Sequence, residues 1–501
     1  MNTNRIYQLL LMLLIVMVYG CSDKPKGKEQ VDEISYTITI SDSNPKIANV
    51  EVAFVPKDSL LYMGLGANQL ENRWATFVHN LKVTDQKGKL LTVDKLTDAQ
   101  WKIHLQSNQK IKLSYSVHLD HENYKWSGGI DGAAYATNLG VFYTTRALLI
   151  FNGDEWQNIT IDFNLPKKWQ VTTPWHKKNN HVYTFQVDTF SNLANAMVFA
   201  GIHEEITIKR DDFELIFALG DEGVISKKQE FQSLAEGVLD YYIKLMGGLP
   251  KPPKDNPFNK SIVVMSSSEN TDGEAIGNHI SVLIGKNGGQ LSETISRFIF
   301  AHEFFHLWNG KSFSPVNDET EWLKEGFTNY YTLKALRNVN YLNDESSLNF
   351  LSSFFYEKYV GDEGVGKLSM TNGEEKHDHW GLIYAGGMFV GMAQDILIRN
   401  NTENEKSLDD LMRFLYQKYG GTNANYTLKE IRDKLTELTG KNQSVFFDTY
   451  VNGSNKIPLE KYLNQIALQA KVKEKTLTIT KKESATEQDQ NILNGILGVG
   501  L

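Results

Sequence analysis

Two histidines one helical turn apart, followed by a distant glutamate, are the feature that most restricts how this chain can fold. The histidines lie in HEFFH at 302–306, and the glutamate, Glu325, lies in WLKEG at 322–326. Positions i and i+4 of a helix share one face, so both imidazoles can reach the same ion. A carboxylate from a second element completes a set of two histidines and one glutamate, with a fourth coordination position open. The motif therefore predicts two helices that face each other.

This constellation predicts a catalytic site for one zinc ion, with His302, His306 and Glu325 as ligands. Glu303 is not a ligand in this interpretation. Its place beside the first ligand suits a general base that takes a proton from the metal-bound water, the role usually assigned in this motif. The five-residue pattern alone is weak, because an amphipathic core helix can carry it by chance. The distant Glu325 makes the combined motif more specific for a metal site.

The local sequence around the motif supports the two helices. Residues 291–307 carry an apolar stripe of helical period that ends near Gly310, and residues 318–338 read as a second helix. Residues 312–317 contain Pro315 and form a turn region. A short loop between two helices returns Glu325 to the histidines.

With these residues the chain resembles the glycyl aminopeptidase family, a branch of the gluzincin metallopeptidases related to the aminopeptidase N group. The specific part is HEFFHLWN at 302–309 followed by WLKEGFTNYY at 322–331. The resemblance covers most of the chain, and residues 74–103 are similar to the β-rich leading domain of the family. It implies a zinc peptidase with a peptide substrate, acting as an aminopeptidase on short peptides.

The resemblance also implies a tyrosine that donates to the oxyanion of the tetrahedral intermediate, where charge stabilisation is usually the largest catalytic effect. The matching segment is YAGG at 384–387, so Tyr384 is the candidate donor. Relatives have tyrosine, any residue, lysine, glycine here, and Gly386 departs from that lysine. Asn329, one turn beyond Glu325, either accepts a hydrogen bond from a ligand histidine or faces solvent. Glu321, one turn before Glu325, either joins the same network or is a surface charge, and we interpret it as a surface charge.

Aminopeptidase specificity has less support than peptidase chemistry. Relatives hold the substrate ammonium with a glutamate in a Gly-Gly-Leu-Glu-His segment before the metal helix, and GEAIGNH at 273–279 is the corresponding stretch. Gly277 or Asn278 stands where the glutamate is expected, and Glu274 and Glu269 are close enough to substitute. The candidate substrate-binding residues are Glu274, Gly277 and Asn278. Residues 280–284 are predicted as the sheet edge to which an extended peptide adds. An endopeptidase, or a non-catalytic lipoprotein that binds peptides or a partner on this scaffold, stays open.

The N-terminal residues predict export and anchoring. Arg5 precedes an apolar run at 9–18, and Cys21 is the only cysteine of the chain. Residues 1–20 are interpreted as a signal peptide, residues 21–33 as a charged tether, and Cys21 as the lipidated residue of a bacterial lipoprotein. A plain cleaved signal is the alternative. The expected location is the bacterial cell envelope, on the periplasmic or extracellular face, with a lipid anchor in the membrane.

The remaining pattern predicts a multidomain α+β fold. Residues 34–208 alternate with period two and predict an N-terminal β-sandwich. Residues 209–341 are interpreted as a thermolysin-like catalytic domain, and residues 342–455 as a helical domain that closes the cleft. The family resemblance places the start of a PDZ module, absent or truncated, in the C-terminal segment 456–501. A net charge of −8 without a basic stripe argues against a nucleic-acid partner, and the oligomeric state is left open.

Overall fold

The computed structural model describes residues 32–105, 109–119, 121, 124, 133–178, 183–286 and 289–499. The expected multidomain α+β fold is confirmed, with a sheet-rich domain first and helices dominant towards the C-terminus. Cys21, the predicted signal peptide and nearly all of the predicted tether lie outside the described residues.

The N-terminal domain is built from three sheets around one core. Its strands are β1 Glu33–Ser41, β2 Asn44–Phe54, β3 Leu60–Tyr62, β4 Val78–Asp85, β5 Val93–Lys95, β6 Gln100–Ile103, β7 Ile111–His118, β8 Tyr135–Ala136, β9 Gly140–Thr144, β10 Asn158–Asn164, β11 Gln170–Thr172, β12 His176–Lys177, β13 Thr184–Val187 and β14 Met197–Gly201. Two short helices, α1 Thr145–Leu148 and α2 Phe190–Ala194, connect them.

Strands β12-β13-β10-β1-β2-β7-β4 form a seven-stranded sheet, β11-β14-β9-β8 a four-stranded sheet and β3-β6-β5 a three-stranded sheet. The predicted alternation is visible in β1, where Ile34, Tyr36 and Ile38 point into the core and the residues between them are half-exposed. Side chains of the seven-stranded and four-stranded sheets meet in the same core.

The middle of the chain forms a five-stranded mixed sheet covered by helices. Its strands are β15 Glu204–Arg210, β16 Phe213–Leu219, β17 Lys260–Ser268, β18 Asp272–Ile276 and β19 His279–Gly285, in the order β15-β16-β17-β19-β18. The helices are α3 Glu222–Ile225, α4 Lys228–Met246, α5 Gly289–Phe305 and α6 Glu321–Asn338. Helices α5 and α6 are the two predicted from the histidine and glutamate motifs.

The C-terminal part is mainly helical, and four of its helices begin with capping boxes. It contains α7 Asp344–Phe350, α8 Glu357–Gly361, α9 Gly386–Asn401, α10 Leu408–Tyr419, α11 Leu428–Thr439, α12 Ser444–Tyr450, α13 Leu459–Leu463, the hairpin β20 Leu468–Lys473 and β21 Thr476–Lys481, and α14 Glu487–Ile496. Ser407 with Asp410 caps α10, and Thr427 with Glu430 caps α11, which satisfies the free N–H groups at both helix starts.

Two predicted boundaries differ from the structure. Strand β15 belongs to the five-stranded sheet, so the boundary expected at residue 208 falls inside a strand of the second unit. The catalytic and helical parts also share one hydrophobic core that extends from Ile206 to Leu497, with no separate core beginning at 342. A period-two pattern marks strands without saying which sheet each one joins.

The segment predicted to start a PDZ module has a different role. Leu463, Leu468, Leu477 and Ile492 are buried in the core that the catalytic and helical parts share. Helix α14 also packs against α9, and Asn338 of α6 donates a 2.9 Å hydrogen bond to the carbonyl of Gly498. Residues 459–499 therefore complete the helical part of the protein.

Helix α9 is a long and strongly apolar helix. With the turn before it, the stretch Gly381–Asn401 is long and apolar enough to cross a membrane by length and composition, yet 89% of its apolar window is buried inside the protein. It has the burial of a core helix of a globular protein.

Candidate metal centre

The two predicted helices bring the three predicted ligands together. His302 lies in the last turn of α5, His306 directly follows the last residue of that helix, and Glu325 lies in the second turn of α6. The Nε2 atoms of the histidines are 3.0 Å apart, and Oε2 of Glu325 lies 3.5 Å from Nε2 of His302 and 3.2 Å from Nε2 of His306. All three side chains converge on one point, as the spacing predicted.

This geometry fits a small divalent ion. Ligand atoms about 2.0–2.1 Å from a tetrahedral metal are separated by about 3.3 Å, close to the three distances found here. Among the described residues, this triad is the only group of three or more histidine, cysteine or acidic side chains arranged to hold a metal. Imidazole nitrogen and carboxylate oxygen are also the donors that zinc accepts.

The ligand histidines are oriented by unequal contacts. Nδ1 of His306 lies 2.8 Å from the carbonyl oxygen of Asn309, which fixes the ring and leaves Nε2 for the metal. Asn309 is in turn held by α6, because its side-chain amide donates to the carbonyl of Lys324 at 2.9 Å. Within the part of the chain that the structure describes, the buried Nδ1 of His302 has no hydrogen-bond partner.

The electrostatics of the site separate the two glutamates. Burial alone raises the pKa of Glu325, but the two histidines and Lys376 outweigh it and hold that pKa well below its usual range. Burial raises the pKa of Glu303, and the charge of Glu325 adds to the effect. One carboxylate is therefore kept ionised as a ligand, while the other is easier to protonate, as a group that accepts and returns a proton requires.

Tyr384 stands beside the triad in a π-helical turn, Gly381–Ala385, just before α9. Its ring stacks on Trp380 with centroids 5.2 Å apart and an interplanar angle of 7°, and it lies 6.4 Å from the ring of His302. Burial, reinforced by the charges of Glu325 and Glu303, raises its pKa well above 10, so the hydroxyl stays protonated. Single π-helical turns inside helices are frequent at functional sites.

Two further residues near Glu325 differ from prediction. The side-chain amide of Asn329 donates a 3.2 Å hydrogen bond to the carbonyl of Tyr384, so Asn329 contacts the tyrosine backbone rather than a ligand histidine. Glu321 is buried at 4% exposure and paired with Lys324 and Lys376, so the interpretation as a surface charge is wrong. Neither partner can be read from helix spacing, because each comes from another part of the fold.

The predicted substrate-binding residues separate into two groups. Gly277, at φ +60, and Asn278 form the turn between β18 and β19. Asn278 is buried and donates to the carbonyl of Lys260 at 2.7 Å and to Oγ of Ser261 at 3.0 Å, so it serves the turn and is not available to a substrate ammonium. Glu274 lies in β18 and is half-buried.

The edge of the sheet is also not where it was predicted. Strand β19 is interior, paired with β17 on one side and β18 on the other, and β18 is the outermost strand. Strand β18 runs beside the metal helix, because a Cβ atom added to Gly273 would lie 2.3 Å from the side chain of Ile299. The open edge next to the triad is therefore β18, the strand that carries Glu274.

Two histidines at the end of one helix and a glutamate from the next form a candidate metal centre beside a mixed sheet, and the family matches of the chain define its class as a peptidase. Residues 67–202 match the Peptidase M61 N-terminal domain, and residues 296–385 match the M61 glycyl aminopeptidase. These two matches confirm the predicted resemblance to the glycyl aminopeptidase family.

The fold has relatives among solved structures. An aminopeptidase N family protein from Idiomarina loihiensis superposes with a TM-score of 0.71 at 16% identity, over 87% of this chain and 79% of that one. A mutant of the M1 zinc metallopeptidase from Deinococcus radiodurans gives a TM-score of 0.48 at 11% identity, over 86% of this chain and 95% of that one. Comparison with curated proteins finds no match.

Proposed function

We propose that this protein is a zinc-dependent aminopeptidase that hydrolyses short peptides. The observation that carries the proposal is the convergence of His302, His306 and Glu325 beside a half-buried Glu303. His302, His306 and Glu325 would hold the zinc ion, which when bound would supply Lewis-acid polarisation of the scissile carbonyl and a lowered pKa of the attacking water. The chain's own residues do the remaining work.

Glu303 moves the proton. Its carboxylate accepts a proton from the attacking water and returns it to the nitrogen of the leaving amine, and its raised pKa suits both steps. Tyr384 donates a hydrogen bond from its protonated hydroxyl to the oxyanion that develops on the carbonyl. An extended peptide adds to the open edge of β18 through backbone hydrogen bonds.

Replacing Glu303 by Gln tests the proposal directly. We expect E303Q to retain bound zinc, measured by plasma mass spectrometry, and to lose hydrolysis of a mixed peptide pool by a factor of about 10³. The matched control is E293Q on the same helix, where Glu293 is exposed and paired with Lys227 at 2.6 Å. Wild-type turnover by E303Q contradicts the mechanism.

The structure also favours a second candidate, a zinc endopeptidase. Asn278 and Gly277 are committed to a turn, so of the three candidates only Glu274 is left to hold a substrate ammonium. Peptides with free and with acetylated N-termini separate the two activities. An aminopeptidase cleaves only the free form, and E274Q then raises KM for it. Equal cleavage of both forms establishes the endopeptidase.

We also propose that the protein is exported and anchored in the bacterial cell envelope by lipid on Cys21. The support is the apolar run at 9–18 that precedes the single cysteine of the chain. In a bacterial host fed radiolabelled palmitate, the full chain should take up label and C21S should not. Equal labelling of C21S contradicts the anchor.

A further inference from the structure

Only one oxygen of Glu325 faces the two histidines. Oε2 is the atom within 3.5 Å of both ligand nitrogens, whereas Oε1 accepts a 3.0 Å hydrogen bond from Nζ of Lys376. Lys376 lies 51 positions further along the chain, in the segment before Tyr384. The ammonium of Lys376 thus binds the oxygen of Glu325 that is not directed at the two histidines.

Lys376 belongs to a closed network of charges. Its Nζ also lies 2.6 Å from Oε2 of Glu321, and Nζ of Lys324 lies 2.5 Å from Oε1 of Glu321 and 3.7 Å from Oε1 of Glu325. Both carboxylates have side-chain exposures of 6%, so leaving either one unpaired would cost several kcal/mol. The charges of the two carboxylates and the two ammonium groups therefore balance, and Oε2 of Glu325 takes no part in these pairs.

The segment that carries Lys376 is fixed at two places, to the short turn that leads into α6 and to α6 itself. A Cβ atom added to Gly373 would lie 2.0 Å from the carbonyl oxygen of Asp318, so the backbones touch there. Further along, Asn329 donates to the carbonyl of Tyr384 at 3.2 Å. Glu321, Glu325 and Asn329 follow each other at four-residue spacing and present one face of α6 to this segment.

We propose that Lys376 is a positioning residue that makes Glu325 a one-oxygen ligand. By holding Oε1, the ammonium fixes the rotation of the carboxylate and directs Oε2 to the metal. It also connects the ligand to the segment that carries the oxyanion donor. The inference rests on the proposed function and adds a residue to the site that neither the motif nor the family resemblance indicates.

Replacing Lys376 by Met removes the ammonium and keeps the length of the side chain. We expect K376M to bind zinc 10- to 100-fold more weakly in competition with a chromophoric chelator, the range typical for losing an outer partner of a ligand. With saturating zinc, kcat should fall and KM should change little, because the hydrogen bonds of the Lys376 ammonium go to Glu321 and Glu325. K376R should restore most of the affinity, since a guanidinium can bond both glutamates.

Cobalt substitution provides a readout that a purely structural role would not move. In K376M the freed Oε1 can join the coordination shell, so the visible absorption of the Co²⁺ protein should weaken towards that of a five-coordinate ion. K324M is the matched control, because Lys324 is bonded to Glu321 and stands 3.7 Å from Glu325, and its effect should be smaller. K227M, which breaks an exposed pair far from the network, controls for the loss of a lysine.

If K376M has the zinc affinity and the Co²⁺ spectrum of the wild type, the inference about Lys376 is overturned. The proposed function would still stand. Absence of zinc binding in the wild type, or full activity of E303Q, overturns the proposed function itself. Circular dichroism checks the fold of each variant. If K376M does not fold, K376Q compared with K376R supplies the same test.

Discussion

At the residue scale, Tyr384 shows how the fold prepares a hydrogen-bond donor before any substrate arrives. Its ring lies flat against Trp380, and its backbone carbonyl is held by Asn329. Because burial and nearby carboxylates raise the pKa of its hydroxyl, the group cannot lose its proton at neutral pH. A donor with a fixed ring and a retained proton needs no reorganisation when the oxyanion forms.

Replacing Tyr384 by Phe removes the donor and leaves the ring stack in place. We expect kcat to fall about 10²- to 10³-fold with little change in KM, because the hydrogen bond is stronger to the oxyanion than to the ground-state carbonyl. Steady-state kinetics with a chromogenic peptide measures both constants. Trp380→Leu, which removes the stacking partner and keeps the tyrosine hydroxyl, should give a smaller loss. An unchanged kcat for Y384F would remove Tyr384 from the mechanism.

The sequence was informative at this scale wherever the residues of a group lie on one helix. His302, Glu303 and His306 are fixed relative to one another by helix geometry, and Glu325 by a second helix after a short loop. Lys376 had no such signal, because its partners are 51 and 55 positions away and its segment carries no motif. Asn329 was noticed for its spacing, but its partner is a backbone carbonyl that only the fold brings near.

At the scale of elements, the crossing of α6 and α9 sets the distance between Glu325 and Tyr384. A Cβ atom added to Gly326 would lie 2.3 Å from the carbonyl carbon of Gly387, and one added to Gly387 would lie 2.0 Å from the carbonyl oxygen of Trp322. The two helix backbones are therefore in direct contact. Glu325 is adjacent to one glycine, and Tyr384 lies one turn before the other.

Gly326→Ala should force these helices apart. We expect a loss of about 1–3 kcal/mol in the free energy of unfolding, typical of overpacking, even though alanine is the better helix former. Urea denaturation measures the loss. Gly361→Ala is the control, because no heavy atom lies within 4 Å of an added Cβ there. Equal stability of the two variants would show that the crossing tolerates a methyl group.

Helices were easier to predict than the order of strands. The apolar period and the capping residues located α5, α6, α10 and α11, because these signals are local. The position of β18 outside β19 was missed, since the order of strands in a sheet depends on how a hairpin folds back. For this reason the edge strand was predicted at residues 280–284, in β19, whereas the structure has β18 at the edge.

At the scale of the whole molecule, a small apolar cluster joins the N-terminal domain to the five-stranded sheet. Its buried members come from strands of both units: Phe142, Met197, Phe199, Ala218, Ile262, Val264 and Ile276. The match to the N-terminal family domain ends at residue 202, and β15, the first strand of the five-stranded sheet, begins at Glu204. The domain boundary was misplaced because apolar alternation continues across it.

This cluster should make the two units unfold together. We expect a single calorimetric transition for the wild type, and Phe199→Ala should cost about 3–5 kcal/mol because it leaves a cavity at the centre of the junction. Leu65→Ala, at a side chain that is 71% exposed, is the control. Two separate transitions in the wild type would show that the units are independent.

Buried histidines should make the whole molecule sensitive to acid. Burial lowers the pKa of His121 and of His279 to about 3 and that of His203 to about 4. Between these values and the unfolded value of about 6.5, the unfolded chain binds more protons, so stability present at pH 7 is lost as the pH falls. Urea denaturation at pH 7, 6 and 5 should show this fall, with a smaller slope for His203→Gln. Identical slopes would contradict the assignment.

The contact of glycine with glycine between α6 and α9 has a practical consequence for altering selectivity. No layer of side chains separates these helices, so nothing there can adjust to a larger substrate without moving the ligand and the donor together. Mutant libraries aimed at new substrate preferences should therefore leave the contact between α6 and α9 unchanged. Diversity belongs along β18, the edge strand proposed to bind the peptide, and in the loop that follows α5.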